Sequence, residues 1–144
     1  MLAIKPIQEK TFQEEYITRC GGKFDAASFA YIANECTDDG ETILYPIGGC
    51  QFAIRGKNGD LGEISLLRCL PGVQDEEALI IMMRAATNFL FRCGLRFVTI
   101  LPDAAERDLI IKLGFRENED GALMLDLLQY YATPCSERAK INLD

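Results

Sequence analysis

The chain has 144 residues, 49% hydrophobic and 26% charged, enough for one compact domain that buries about 70% of its unfolded surface and needs neither disulfides nor metal. Its net charge of −7 argues against a nucleic-acid partner, because phosphates select basic surfaces; if charge favours any partner, it favours cations such as amines. With no histidine in the sequence, Ser-His-Asp and Cys-His catalysis are excluded and a zinc site is disfavoured.

Leu2 to Ile7 is short and apolar with Pro6 near its end, which predicts an edge strand. Thr11-Phe12-Gln13-Glu14 has the capping-box pattern and predicts a helix from Phe12 to Cys20 closed by Gly21-Gly22. Residues 25 to 36 satisfy two patterns: Asp25-Ala26-Ala27 can start a helix, whereas Phe29, Tyr31 and Ala33 alternate as in a strand. A strand from Ser28 to Glu35 is preferred, because the Asp38-Asp39-Gly40 turn then joins it to Ile43 and beyond. Pro46 and Gly48-Gly49 predict a bend or bulge before a cleaner strand, Cys50 to Arg55. Asn58-Gly59 is a hairpin turn into a strand from Gly62 to Leu70.

Asp75 to Cys93 reads as a helix that stops at Gly94. It is apolar nearly all round except for Arg84, Asn88 and Arg92, so it should be the most buried helix, with Leu79, Met82, Met83, Ala86, Phe89, Leu90 and Cys93 inside. Phe97 to Leu101 is an apolar strand, and Asp103 can cap a helix to Leu113. Gly114-Phe115 then leads into a hairpin turning at Asp120-Gly121. A strand, a long helix and a second buried strand make a right-handed crossover, so the Gly62 and Phe97 strands should be parallel. Residues 1–131 are expected to form a single domain and 132–144 a polar C-terminal tail.

The six cysteines are scattered and form no Cys-x-x-Cys pair. Most should be reduced, half-buried small hydrophobes, with Cys135 the exposed thiol. No N-terminal stretch has the pattern of a signal peptide, and no apolar run reaches the ~20 residues that span a bilayer. A soluble, cytoplasmic protein without a membrane partner is expected, its oligomeric state open.

The element order from Gly62 to Leu128, together with Leu109-Ile110-Ile111-Lys112-Leu113-Gly114-Phe115, resembles the acyl-CoA-binding half of the GNAT superfamily of N-acyltransferases. That heptapeptide is similar to the family's Leu-Tyr-Glu-Lys-Leu-Gly-Phe. The resemblance implies an α/β (α+β) fold: a mixed, mostly antiparallel sheet with a central parallel strand pair and about four flanking helices. It also implies acetyl-CoA or another acyl-CoA as co-substrate and a small amine or exposed amino group as acceptor; no metal is expected, because the chain has no histidine and no Cys-x-x-Cys pair.

On that resemblance, the backbone of Leu67, Arg68, Cys69 and Leu70 stands where the family pairs with the pantetheine arm. The loop through Gly72, Val73 and Gln74 stands where it holds the pyrophosphate, and Asp103 replaces a frequent asparagine. Ile110 stands where many members carry a tyrosine acid. Glu63 is the candidate base for the amine, the alternative being an exposed, solubilising glutamate.

The chain departs from the family's Gln/Arg-x-x-Gly-x-Gly/Ala turn. It has Pro71-Gly72-Val73-Gln74-Asp75-Glu76-Glu77 instead, with three carboxylates at the pyrophosphate position, and like charges at ~4–6 Å near a surface cost on the order of a few kcal/mol. Two functions therefore stay open: an acyl-CoA-dependent N-acyltransferase, and a non-catalytic ligand-sensing or protein-binding module on the same fold that has lost CoA binding. A thiol sensor at Cys69 or Cys93 rests on the cysteine count alone.

Overall fold

The computed structural model describes residues 1–132; the expected tail and Cys135 lie almost wholly or wholly outside them. Seven strands form one sheet in the order β1-β2-β3-β4-β5-β7-β6. They are β1 (Leu2–Pro6), β2 (Phe29–Cys36), β3 (Ile43–Arg55), β4 (Leu61–Cys69), β5 (Phe97–Ile100), β6 (Arg116–Glu117) and β7 (Leu123–Asp126). The helices are α1 (Lys10–Arg19), α2 (Glu76–Arg92), α3 (Arg107–Lys112) and α4 (Leu127–Ala132). Every strand pairing is antiparallel except β4 with β5, which is parallel as the crossover predicts. This is the mixed fold that the resemblance implied. Among the described residues no helix is long and apolar enough to cross a membrane.

Both faces of the sheet are covered, which explains why the apolar Ala30 and Ile32 stand between the alternating Phe29, Tyr31 and Ala33. Ala33 packs in the main core with α2, whereas Ala30 packs with Tyr16 and Ile17 of α1. The main core holds Ile64, Leu67, Met82, Met83, Leu90, Ile110 and Phe115. Phe52 of β3 links β2 to α2, its ring centroid 5.6 Å from that of Phe29 and 5.8 Å from that of Phe89. Helix α2 crosses the parallel pair so closely that a Cβ on Gly62 would lie 2.8 Å from Leu90 Cδ1 and 3.0 Å from Val98 Cγ2.

Helix α1 begins earlier than its sequence predicts. Thr11 is the second helical residue, not a cap, and Glu9 occupies the cap position without a side-chain bond. Tertiary contacts override the capping box: Lys10 Nζ donates to Ser28 O and to Gln13 Oε1, and Gln13 is drawn fully inside. At the other end Gly21, at φ 86°, completes a Schellman motif, its N–H donating to Thr18 O and that of Gly22 to Ile17 O.

Asp103 is likewise not a helix cap. The chain turns through residues 102–105, burying Ala104 and Ala105, and α3 starts only at Arg107 after Glu106. Cys93, expected inside α2, is exposed because it is the C-cap residue, and Leu79 and Phe89 are half-buried. The irregularity expected near Pro46 and Gly48 is a pair of register shifts in β3, with Ile47 and Leu44 left between consecutive pairings to β2.

Met82 is fully buried in the main core. Met82→Asp should therefore unfold the protein, because an unpaired carboxylate there costs several kcal/mol, a large part of a domain's stability. Far-ultraviolet circular dichroism and a urea titration check this, and a soluble variant with the parent's midpoint would contradict the packing described.

Candidate functional site

β4 runs beside β5 for only four pairs, from Leu61↔Phe97 to Ile64↔Ile100. The last bond of this ladder is Leu101 N–H to Ile64 O, at 3.0 Å, after which β4 has no strand partner on that side. On its other side β4 is paired with β3, but the register jumps from Phe52↔Ile64 to Gln51↔Leu66 and leaves Ser65 as the extra residue of a bulge. A bulge re-phases the side chains that follow it. Ser65, Leu66 and Arg68 consequently line one cavity together with Glu63, while Leu67 and Cys69 line another. Arg68 lines both.

The first cavity, of ≈ 790 Å³, lies on the α1 side between the α1–β2 connection and β4. Arg55 bridges its two inner carboxylates: Nη2 donates to Asp25 Oδ2, and Nε lies 3.4 Å from Glu63 Oε1. Arg55 and Glu63 meet because Ala53 faces Glu63 in the β3–β4 hairpin, which makes Arg55 its diagonal neighbour. The Arg55 hydrogen bond, helped by the Ala27 N–H at 2.9 Å, holds the Asp25 carboxyl below its ordinary value, and Asp25 raises the guanidinium in return.

Behind this cluster Gln51 is fully buried and fully bonded. Its Nε2 donates to Lys23 O at 2.9 Å and to Ser65 Oγ at 3.0 Å, while its Oε1 accepts from Gln13 Nε2 at 3.1 Å and from Asp25 N at 3.3 Å. Two donors and two lone pairs are all that an amide side chain offers.

The second cavity, of ≈ 760 Å³, lies between the end of β4, the start of α2 and α3. Leu67, Val73, Leu79 and Leu109 give it apolar surface, and Asp75, Glu76, Glu106 and Asp108 line it with carboxylates. Asp75 caps α2, its Oδ1 accepting from Ala78 N at 3.0 Å, and Glu76 pairs with Lys112 at 2.6 Å. The Leu67 N–H donates to Ala104 O at 2.8 Å, so the turn after β5 partly closes the gap between the strands. Burial raises the Cys69 thiol above its ordinary value, which disfavours the reactive thiolate.

The residues named from sequence divide between these cavities. Leu67, Arg68, Cys69, Val73 and Gln74 line the second; Glu63 and Asp103 line the first, again with Arg68. Leu70 faces the α1 core and its N–H donates to Ile47 O, while Gly72 sits exposed in a turn. Ile110 is fully buried, and among the described residues no tyrosine lines either cavity. Lys23, Asp25, Gln51 and Arg55 were missed. Arg55 was within reach of the sequence, because the Asn58-Gly59 hairpin sets its register against Glu63; the other three meet only through tertiary folding.

No known protein family and no curated protein matches the chain by sequence. Solved structures do. The GNAT family N-acetyltransferase YhbS from Escherichia coli, in complex with CoA, has a TM-score of 0.61 at 12% identity, covering 88% of this chain and 81% of that one. The spermidine/spermine N-acetyltransferase SpeG from Vibrio cholerae has a TM-score of 0.60 at 10% identity, covering 91% and 95%. A chain of the NatC complex bound to Gag peptide and CoA has a TM-score of 0.60 at 14% identity, covering 87% and 98%. The chain has the GNAT fold.

The Arg55 bridge makes a pH-dependent contribution. Asp25 is depressed in the folded state, so its contribution is present above the ordinary carboxylate value of ~3.9 and is lost as pH falls through the lowered folded value. Asp25→Asn should cost about 0.5–1 kcal/mol at pH 7, as for a partly exposed ion pair. Its gap from the parent in urea midpoint should hold down to pH 5 and narrow below pH 4. A gap that does not change with pH would remove the ion pair as its cause.

Proposed function

We propose that the protein is an acyl-CoA-dependent N-acyltransferase that transfers an acetyl group to a small amine. The observation that carries this reading is the pair of cavities that share Arg68 beside the point where β4 and β5 part. A transferase needs a donor and an acceptor to approach one point from separate sides. The apolar surface of the second cavity fits an acyl-pantetheine arm, and the first takes the amine. The relatives in fold support an amine acceptor, one being named for spermidine and spermine and another bound to a peptide and CoA.

In this reading the neutral amine attacks the thioester carbonyl, forming the C–N bond as the C–S bond breaks. The amine proton passes to Glu63 directly or through water, and water protonates the thiolate, because Ile110 supplies no acid. The Leu67 N–H can polarise the carbonyl only by exchanging its bond to Ala104 O for one to the thioester oxygen. No step requires a metal. Residues 1–131 act as one unit in the cytoplasm.

A second reading, a ligand-binding module without catalysis, is favoured by that same Leu67–Ala104 bond and by the carboxylates around the second cavity. Acetyl-CoA decides between them. Glu76→Gly with Glu77→Gly removes like charge from the start of α2 and frees Lys112, while Asp75 stays as the cap. The double variant should bind acetyl-CoA about tenfold tighter than the parent at low salt, measured by calorimetry. Tight binding and amine acetylation by the parent would support the enzyme. No binding by either protein would overturn it.

A further inference from the structure

We infer that the start of β3 is a docking edge for a second copy of this chain, residues 43–45 pairing antiparallel with their counterparts about a two-fold axis. The inference is independent of what fills either cavity.

Five of the ten large hydrophobic side chains exposed among the described residues stand at one corner of the sheet: Met1, Phe12, Ile43, Leu44 and Tyr45, from 45% to 58% exposed. The backbone brings them together there. Cys36 N–H donates to Met1 O, Cys36 pairs with Ile43, and Ile43 lines a groove with Phe12, Ile7 and Pro6. A cluster of this kind marks an interaction surface, whereas apolar residues exposed singly do not.

The backbone at this corner has bonds to offer. β3 begins at Ile43, but its pairing with β4 reaches only to Gly48↔Cys69, and the Leu70 N–H extends it only to Ile47 O. Among the described residues nothing pairs with residues 43–46 on that side. Along an antiparallel ladder, pairs that exchange bonds alternate with pairs that turn them outward. Thr37 N–H donates to Thr42 O, and Cys36 N–H then donates away from β3, to Met1 O. Its partner Ile43 therefore turns its own N–H and C=O to the open side.

The outer strands of the sheet are guarded against such pairing, as edges commonly are. β1 has the Met1 amino group, paired with Glu35, before its start and Lys5 and Pro6 at its end. β6 is two residues long, and both Arg116 and Glu117 are charged. Residues 43–47 carry no charge. In a chain of net charge −7, contact between two copies is opposed by like charge over most of the surface but not at this edge. With Ile43 facing Ile43 of the second copy, the two residues exchange both outward bonds, Thr42 stands opposite Leu44, and Glu41 stands opposite Tyr45. The two Glu41 carboxylates are then four residues apart along the ladder, roughly 13 Å at ~3.3 Å per residue, beyond the ~8–10 Å over which salt screens exposed charges. Covering the five side chains on both copies removes on the order of 1,000 Å² of surface, the lower bound of a specific interface. The contact is thus weak, self-complementary and closed by its two-fold axis.

The full chain is examined by sedimentation velocity from about 5 to about 500 μM. It should pass from monomer to dimer with a Kd of about 10–100 μM. Ile43→Glu sets two carboxylates against each other and should weaken the dimer about tenfold or more, while the urea midpoint stays at the parent's because Ile43 is exposed. Leu128→Glu, at a similarly exposed position on α4, should leave the dimer unchanged. Amide exchange at Ile43 in the parent should slow severalfold from the lowest concentration to the highest. A parent that stays monomeric throughout would overturn the inference and leave the edge to a different partner. A dimer that survives Ile43→Glu, is lost in Leu128→Glu, or forms without slowing exchange at Ile43 uses another surface, and each of these results would overturn it too.

Discussion

The extra residue at Ser65 in β4 is the constraint on which the site depends. β4 is bonded to β3 along its whole length, and the two backbones approach so closely that a Cβ on Gly48 would lie 2.4 Å from Arg68 O and 2.7 Å from Cys69 Cα. That approach pins the end of β4 to β3, and the bulge changes which face its side chains take. Without the extra residue, strict alternation would put Glu63, Ser65 and Leu67 on one face and Leu66 and Arg68 on the other. With it, Leu67 enters the main core while Leu66 and Arg68 turn toward α1. One inserted residue thus gives β4 a cavity on each side.

The buried glutamines make the first cavity a fixed site rather than a surface hollow. Gln13 and Gln51 are both fully buried, and each buried amide left unbonded would cost ~1–3 kcal/mol. Their mutual bond and those to Ser28, Ser65, Lys23 and Asp25 remove that cost only when α1, the α1–β2 connection, β3 and β4 are all in place. The network therefore couples the site to the assembled fold. Such networks rigidify what they join when fully satisfied.

The second cavity carries an opposing physical demand. The start of α2 offers backbone N–H groups and the positive end of a helix dipole, which suit an anion. Here Asp75 takes one of those N–H groups, and Glu76 and Glu77 bring charge of the sign that an incoming phosphate also carries. Lys112 offsets one of them. The apolar surface and the acidic lining thus make opposing demands: the one suits an apolar ligand segment, and the other repels an anion.

Much of the fold was legible in the sequence because local signals agreed with the tertiary outcome: the apolar run of α2, the glycine stops at Gly21 and Gly94, the Asn58-Gly59 turn, and the crossover that makes β4 and β5 parallel. Helix starts were less legible. Thr11 and Asp103 are good caps locally, but Lys10 and Gln13 reach partners across the fold, and the turn at Ala104 is bonded to β4, so α1 begins earlier and α3 later than their caps suggest. In the site, the sequence by itself determined the acids at the start of α2 and the place of Glu63 on the central strand, since both follow from nearest neighbours along the chain. Only the tertiary structure decided that Ser65 is bulged, that Arg55 joins Asp25 to Glu63, and that Arg68 faces two cavities. Those facts depend on register between strands and on contacts between segments thirty or more residues apart, which no local pattern encodes.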